Sequence, residues 1–366
     1  MMMNEKKKMS GIEVLRFTLT LIIVFYHLFR SQVLPVPEGH AVVESMKFFT
    51  NNASLAVDCF LVIAGFFLCT SLERNENASF TELLLKRIIR LWPVLLFSSV
   101  CEMLLWRISI YKTIIKLLFL QSIGLTKDAS GISWYISCYF WAVVFYTALF
   151  KVEKNSGRRL FLTGIIIYIG YILNINNTSG GFGRGVIFQA IDIGLLRALG
   201  GIGTGILANK CAVFAEKSLE ALDFRHYWLF RVGRIMFFLS VCLYLLYKPF
   251  GYTETHLINI IFTCLYLQCC FCDHSSGGLF DVVLDKTALF GRYSYSIYLM
   301  QQTVFYLIRR VLITATFFQN MNLFVIIILE LLLCVITGTV TYYICERPCA
   351  EKGMQLLGQL KERGVL

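Results

Sequence analysis

The chain has 366 residues, 57% of them hydrophobic and only 16% charged, with a mean hydropathy of +0.67. Long apolar runs recur along it with only five prolines, which excludes an ordinary soluble domain and predicts an all-α, polytopic membrane protein, a single domain over residues 1–366. The net charge of +11 is assigned to basic loops beside anionic membrane lipids, not to nucleic acid as a partner.

About ten spans are predicted, over 11–30, 54–72, 88–106, 132–150, 159–174, 186–208, 229–247, 256–272, 288–312 and 323–345. The opening, MMMNEKKKMS before an apolar run, has the outline of a secretory signal. Arg16 and His27 interrupt that run and no small-residue cleavage site follows, so a retained first helix is predicted. Within it Glu13, Arg16 and His27 share one face. Arg16 follows Glu13 by three residues, and His27 follows Arg16 by eleven, about three turns and roughly 16 Å along the axis. A central Arg in a membrane helix costs roughly 2.5–3.5 kcal/mol, so such groups mark function by default.

The next element, LAVDCFLVIAGFF at 55–67, carries Asp58 at the edge of an apolar helix, as a cap or a site residue, with Gly65 and Phe66 as packing residues. KRIIRLWP at 86–93 sets Arg87 and Arg90 on one face, suited either to bidentate grip on a phosphorylated ligand or to anchoring at a positive inner surface. Pro93 is expected to kink or start its span. The stretch 110–124 is too short and too basic for a span and is expected to lie amphipathically at the interface. In GISWYISCYFW at 131–141, Trp134, Tyr135 and Ser137 form an aromatic belt or line an acceptor pocket.

Further along, GGIGTG at 200–205 is read as close helix packing through Gly201 and Gly205, because no strand precedes it. Asp192 with Arg197, and Glu330, are intramembrane polar groups whose partners the sequence does not name. CCFCDH at 269–274 lacks a second ligand pair, and no metal site is predicted. The 13 cysteines fall mostly in apolar runs and are read as reduced, buried hydrophobes. In GRYSYSIYLMQQ at 291–302, Tyr295, Tyr298 and Gln302 make a polar stripe facing a bundle interior or cavity. Glu346 and Arg347 of CERP close the last span. With the N-terminus inside, most of the 34 Lys and Arg fall on the inner side, which predicts both termini in the cytoplasm. Two functional classes fit these polar groups: a membrane enzyme, or a proton-coupled transporter or flippase.

Taken in order, these segments resemble the acyltransferase-3 family of integral membrane acyltransferases over nearly the whole chain. The family's acidic residue, Arg, ten residues and His are matched by Glu13, Arg16 and His27. Its V-D-x-F-F-x-x-S-G-F element is matched by Val57, Asp58, Phe60, Gly65 and Phe66, with Ala64 in place of the Ser. R-x-x-R-x-x-P corresponds to Arg87, Arg90 and Pro93, and a Trp-centred element to Trp134 and Ser137, with Tyr139 where a Glu is frequent. S-Y-S-I-Y-L is Ser294 to Leu299, with Gln301 where a His often stands, and the terminal E-R-P is Glu346, Arg347 and Pro348.

The resemblance implies transfer of an acyl group, usually acetyl from acetyl-CoA, to a hydroxyl of a cell-surface or lipid-linked carbohydrate. It implies an acyl-CoA co-substrate, no bound cofactor and a bacterial inner-membrane location. In that setting Arg87 and Arg90 face the cytoplasmic donor. His27 is suited to a general base. Arg16 binds a phosphate, orients the carbonyl or stabilises the oxyanion, and Glu13 or Asp58 holds Arg16. Trp134, Ser137, Tyr295, Tyr298, Gln301 and Glu346 are further site candidates.

Overall fold

The computed structural model describes residues 2–30, 41–49, 52–123, 131–177, 186–187, 191–222, 227–247, 250–273, 279–314 and 322–363. In chain order the helices are α1 (Met2–Arg30), α2 (Ala41–Phe49), α3 (Leu55–Arg74), α4 (Phe80–Trp106), α5 (Ile110–Leu117), α6 (Trp134–Val152) and α7 (Ser156–Asn176). They continue with α8 (Ile193–Ala221), α9 (Trp228–Leu246), α10 (Tyr252–Cys272) and α11 (Leu279–Ala288). A 3₁₀ turn (Leu289–Tyr293) leads into α12 (Ser294–Thr314), and after α13 (Leu323–Thr341) a π turn (Tyr342–Glu346) leads into α14 (Arg347–Glu362). Among the described residues nine stretches are long and apolar enough to cross a membrane. The predicted span 288–312 corresponds to α12, which carries Gln301, Gln302, Arg309 and Arg310 and is not one of the nine. The predicted span 186–208 starts late. Val186–Ile187 pairs antiparallel with Ile191–Asp192, and the helix begins at Ile193, where the Asp192 side chain accepts a bond from the Gly194 N–H at 2.7 Å.

Local chemistry sets these boundaries. Ser79 accepts from the Glu82 N–H at 3.0 Å and opens α4, and Asn155 caps α7 through the Arg158 N–H at 3.0 Å. Pro93 neither starts nor ends α4, which runs past it for more than three turns. The interfacial expectation for 110–124 resolves into α5, with Ile110, Tyr111, Ile114 and Leu118 exposed along one face. Its Lys116 turns inward to Glu102 on α4 at 2.6 Å, both nearly buried.

α8 is the hub, and its glycines explain how. A methyl group at Gly205 would run into the Val62 carbonyl oxygen of α3, and one at Gly65 would run into the Ile202 carbonyl oxygen of α8. Gly201 meets Leu61 in the same way. Backbones pressed this closely are the small-residue packing of membrane helices. On its other side Gly200 abuts Tyr171, and the Leu196 carbonyl approaches Gly170, both on α7. A Gly205→Val variant is therefore expected to separate α3 from α8, costing about 1–3 kcal/mol or more. The measurement is thermal unfolding of the detergent-purified protein, and an unchanged midpoint would refute it.

Candidate functional site

A cavity of about 560 Å³ opens where the N-terminal part of α1, the C-terminal end of α3, the start of α4, the π turn and the start of α14 converge. Its cations come from four elements: Arg16 on α1, Lys86, Arg87 and Arg90 on α4, Arg292 in the 3₁₀ turn, and Arg347 at the start of α14. Some are already engaged. Arg16 donates to Glu13 at 2.8 Å, Lys86 lies 2.8 Å from Glu82, and Arg347 donates to Glu351 at 2.8 Å. Arg87 and Arg90 have no ion pair or side-chain hydrogen bond among the described residues. These two guanidiniums share one helix face at the cavity, a geometry suited to an anion, with Glu346 near enough to Arg90 to interact with it electrostatically.

Below it lies a second chamber of about 360 Å³. Both cavities share Glu13, Arg16, Arg87, Arg90, Arg292 and Glu346, which form the neck between them. Glu346, 7% exposed, accepts from Ser296 at 2.5 Å. Four guanidiniums against two carboxylates leave the neck positive. The 3₁₀ turn seats one of them: a methyl group at Gly291 would strike Glu13, so glycine here lets the turn, and with it Arg292, close on the Glu13–Arg16 pair.

Past the neck the lining becomes apolar and aromatic: Ile23, Val57, Phe60, Ile63, Ala64 and Phe67 on one side, Tyr135, Ile136 and Tyr139 on the other. Tyr135 and Tyr139 stack with centroids 6.2 Å apart, and Tyr298 meets Tyr135 edge-on at 6.0 Å. Tyr295 and Tyr298 line the chamber while their hydroxyls tie the walls together, donating to the Leu91 carbonyl at 2.7 Å and to the Ile132 carbonyl at 2.6 Å. Ser71 and Val57 both line it, and fourteen residues of α3 between them span about 21 Å. His27 lies about 16 Å beyond Arg16 on α1. His27 itself is not among the lining residues. Ile23, one turn before it on the same face, is. The imidazole is partly buried and meets Tyr26 edge-on at 5.1 Å.

Several predicted site residues have structural duties elsewhere. Asp58 does not hold Arg16. It lies in the core, 1% exposed, and accepts from Arg197 Nε at 2.6 Å and Nη2 at 2.8 Å, with His256 Nδ1 2.7 Å away. Arg197 thus pairs with Asp58, and Glu13 holds Arg16. Ser137 and Trp134 do not line either cavity. Ser137 donates to the Phe119 carbonyl at 2.5 Å and meets Ser122 Oγ at 2.7 Å, latching the segment before α6, while Trp134 packs on Gly194. Of that expected trio Tyr135 does line the chamber, joined by Tyr139. Gln301 is fully buried, donates to the Tyr298 carbonyl of its own helix at 2.8 Å and does not line the chamber. The residues 269–273 are a packing element: Cys269, Cys270 and Cys272 are buried, and Asp273 pairs with Arg234 at 3.2 Å. Arg292 and His256 were not foreseen, although a cation heading a polar-striped helix and a histidine inside an apolar one are both readable signals.

No curated protein and no solved structure matches the chain. The family model described as an acyltransferase domain matches residues 9–343, a region that includes the arginine neck up to Arg292, the aromatic chamber and His27. The chain therefore belongs to the acyltransferase-3 family and is a membrane acyltransferase.

Proposed function

We propose that the protein takes an acyl group, acetyl in the first instance, from acyl-CoA and transfers it to a hydroxyl of a cell-surface or lipid-linked carbohydrate. The single observation that carries this reading is the Arg87–Arg90 pair, without an ion pair among the described residues, at the head of a chamber whose lining on α1 reaches Ile23, one turn before His27. CoA carries its phosphates at one end and its thioester at the other. A cationic neck and a long apolar passage suit that polarity, and family membership favours transfer over the carrier alternative. In this reading the neck faces the cytoplasm of a bacterial inner membrane, where acyl-CoA is made.

The chemistry follows from the spacing. The acceptor oxygen attacks the thioester carbonyl carbon, the new C–O bond forms and the C–S bond breaks. His27 takes the hydroxyl proton and passes it to the departing thiolate. Arg16, roughly 16 Å from His27 along α1, is too far to touch the same carbonyl. Of its three expected roles, phosphate binding is the one that fits, with Glu13 fixing the guanidinium at 2.8 Å. The tyrosine-lined deep end offers faces on which a sugar ring stacks and hydroxyls that bond it.

His27→Ala is expected to lower kcat by about 10²–10⁴-fold and leave the Kd for acetyl-CoA unchanged. The assay is transfer of labelled acetyl from acetyl-CoA to an envelope-glycan fraction by the purified protein. Full turnover in the variant would remove His27 from the base role.

A further inference from the structure

Acyl transfer builds negative charge on the carbonyl oxygen under attack, and a preorganised donor aimed at that oxygen is usually the largest single contribution to catalysis. Arg16 lies too far along α1 from His27 to serve there, which leaves the role to the chamber wall. Depth in the chamber is readable from the order of the lining on each helix. On α6 Thr147 lines the mouth, while Tyr139 and Tyr135 line the chamber. Tyr135, in the first turn of α6, is therefore the farthest from the mouth, about 18 Å from Thr147 along the axis. Ser71 lines both cavities, and Ser294 stands two residues after Arg292 of the neck, so both hydroxyls belong to the neck end. Among the described residues, the polar side chains that line the chamber past the neck are then four tyrosines. Two of them are committed: Tyr295 donates to the Leu91 carbonyl and Tyr298 to the Ile132 carbonyl. Tyr135 and Tyr139 line the chamber with no hydrogen bond from their hydroxyls among the described residues.

Tyr139 lies toward the neck: it is within electrostatic reach of Tyr295, which also feels Glu346 and Arg90. Tyr135 lies deeper, within electrostatic reach of Arg16 and of Arg197, the core partner of Asp58. Its ring stacks on Tyr139 at 6.2 Å and meets Tyr298 edge-on at 6.0 Å, so packing fixes the side chain while its O–H stays unspent. Apolar residues of α3, among them Val57, Phe60 and Ile63, line the same chamber, a setting in which a hydrogen bond to a charged oxygen is stronger than in water. We infer that Tyr135 is a further catalytic residue, whose hydroxyl donates to the thioester carbonyl oxygen and stabilises the oxyanion. As the acceptor oxygen bonds to the carbonyl carbon, the C=O electron pair moves onto that oxygen, and it returns when the C–S bond breaks. The phenol keeps its proton throughout, and the acceptor's proton travels through His27 to the thiolate. This rests on the acyl-CoA reading and adds the group that answers the developing charge.

The test is Tyr135→Phe, which removes one oxygen and keeps the ring, with Tyr139→Phe beside it, both in the full-length, detergent-purified protein. Three quantities are measured: the thermal midpoint, the Kd for acetyl-CoA, and kcat for transfer of labelled acetyl to an envelope-glycan fraction. The Tyr135 hydroxyl holds no internal hydrogen bond among the described residues, so the midpoint of Tyr135→Phe is expected to match wild type. Its Kd is expected to stay unchanged, because the bond strengthens only as the oxygen gains charge. Its kcat is expected to fall about 10²–10³-fold, and Tyr139→Phe is expected to lose less. Full turnover in Tyr135→Phe beside an active wild type would overturn the inference alone. So would a loss carried by Kd with kcat intact, or a larger kcat loss in Tyr139→Phe than in Tyr135→Phe. A wild type that neither binds nor consumes acetyl-CoA would overturn it together with the acyl-CoA reading.

Discussion

Replacing Arg87 and Arg90 together by alanine is expected to weaken acetyl-CoA binding by about 10²–10⁴-fold while leaving the protein folded. The magnitude follows from two charge-assisted contacts at roughly 1.5–3 kcal/mol each, with about 1.4 kcal/mol per tenfold in Kd. The intact fold follows from the structure: among the described residues neither guanidinium holds an ion pair or side-chain hydrogen bond, so their loss breaks no such internal contact. Arg87→Lys/Arg90→Lys should recover part of the affinity, because a point charge attracts a phosphate but lacks the fork that binds two oxygens. Isothermal titration at two salt concentrations checks both statements. Wild-type affinity in the double alanine variant would move the donor away from this neck.

The second large effect is on stability. Arg197→Ala is expected to destabilise the protein by about 3–5 kcal/mol, because it leaves Asp58 in the core without the cation that donates to both of its oxygens. The Ser54 carbonyl at the start of α3 would lose its 2.8 Å donor as well. The partner variant Asp58→Ala should be comparably damaging, while Asp58→Leu/Arg197→Met, which removes both charges and keeps the volume, should recover much of the loss. A double-mutant cycle on the thermal midpoint in detergent measures this. Additive losses in the cycle would mean that the pair contributes nothing beyond its members.

How much of this was legible from residues alone varies with the kind of signal. The all-α membrane architecture was, because hydropathy over twenty residues integrates many side chains. Helix-face arithmetic placed Glu13 beside Arg16 and Arg87 beside Arg90, since i, i+3 neighbours depend only on local geometry. Gly201 and Gly205 were readable as packing residues by their spacing. Partners across the bundle were not. Nothing in LAVDCF says that Asp58 faces Arg197, 139 positions away, and a carboxylate near an arginine in one helix is indistinguishable by pattern from one near an arginine in another. Ser137 misled for the same reason: a hydroxyl in an aromatic stretch reads as a ligand contact until the Phe119 carbonyl that occupies it is known. Tyr139, noticed only as a departure from a pattern, is a chamber wall.

The Asp58–Arg197 pair also sets an order of events during synthesis. Asp58 enters the membrane with α3, and its counter-ion arrives 139 residues later with α8, roughly 7–30 s afterwards at ribosomal speed. His256 follows 198 residues after Asp58. Until then the acidic end of α3 lacks its cation, so the first helices emerge as an incomplete bundle that closes only when the glycine-faced hub docks. Truncated chains ending before α8 are therefore expected to be held by the insertion machinery or degraded, while those ending after it persist, which makes the middle of the gene the point at which the cell first has a protein worth keeping.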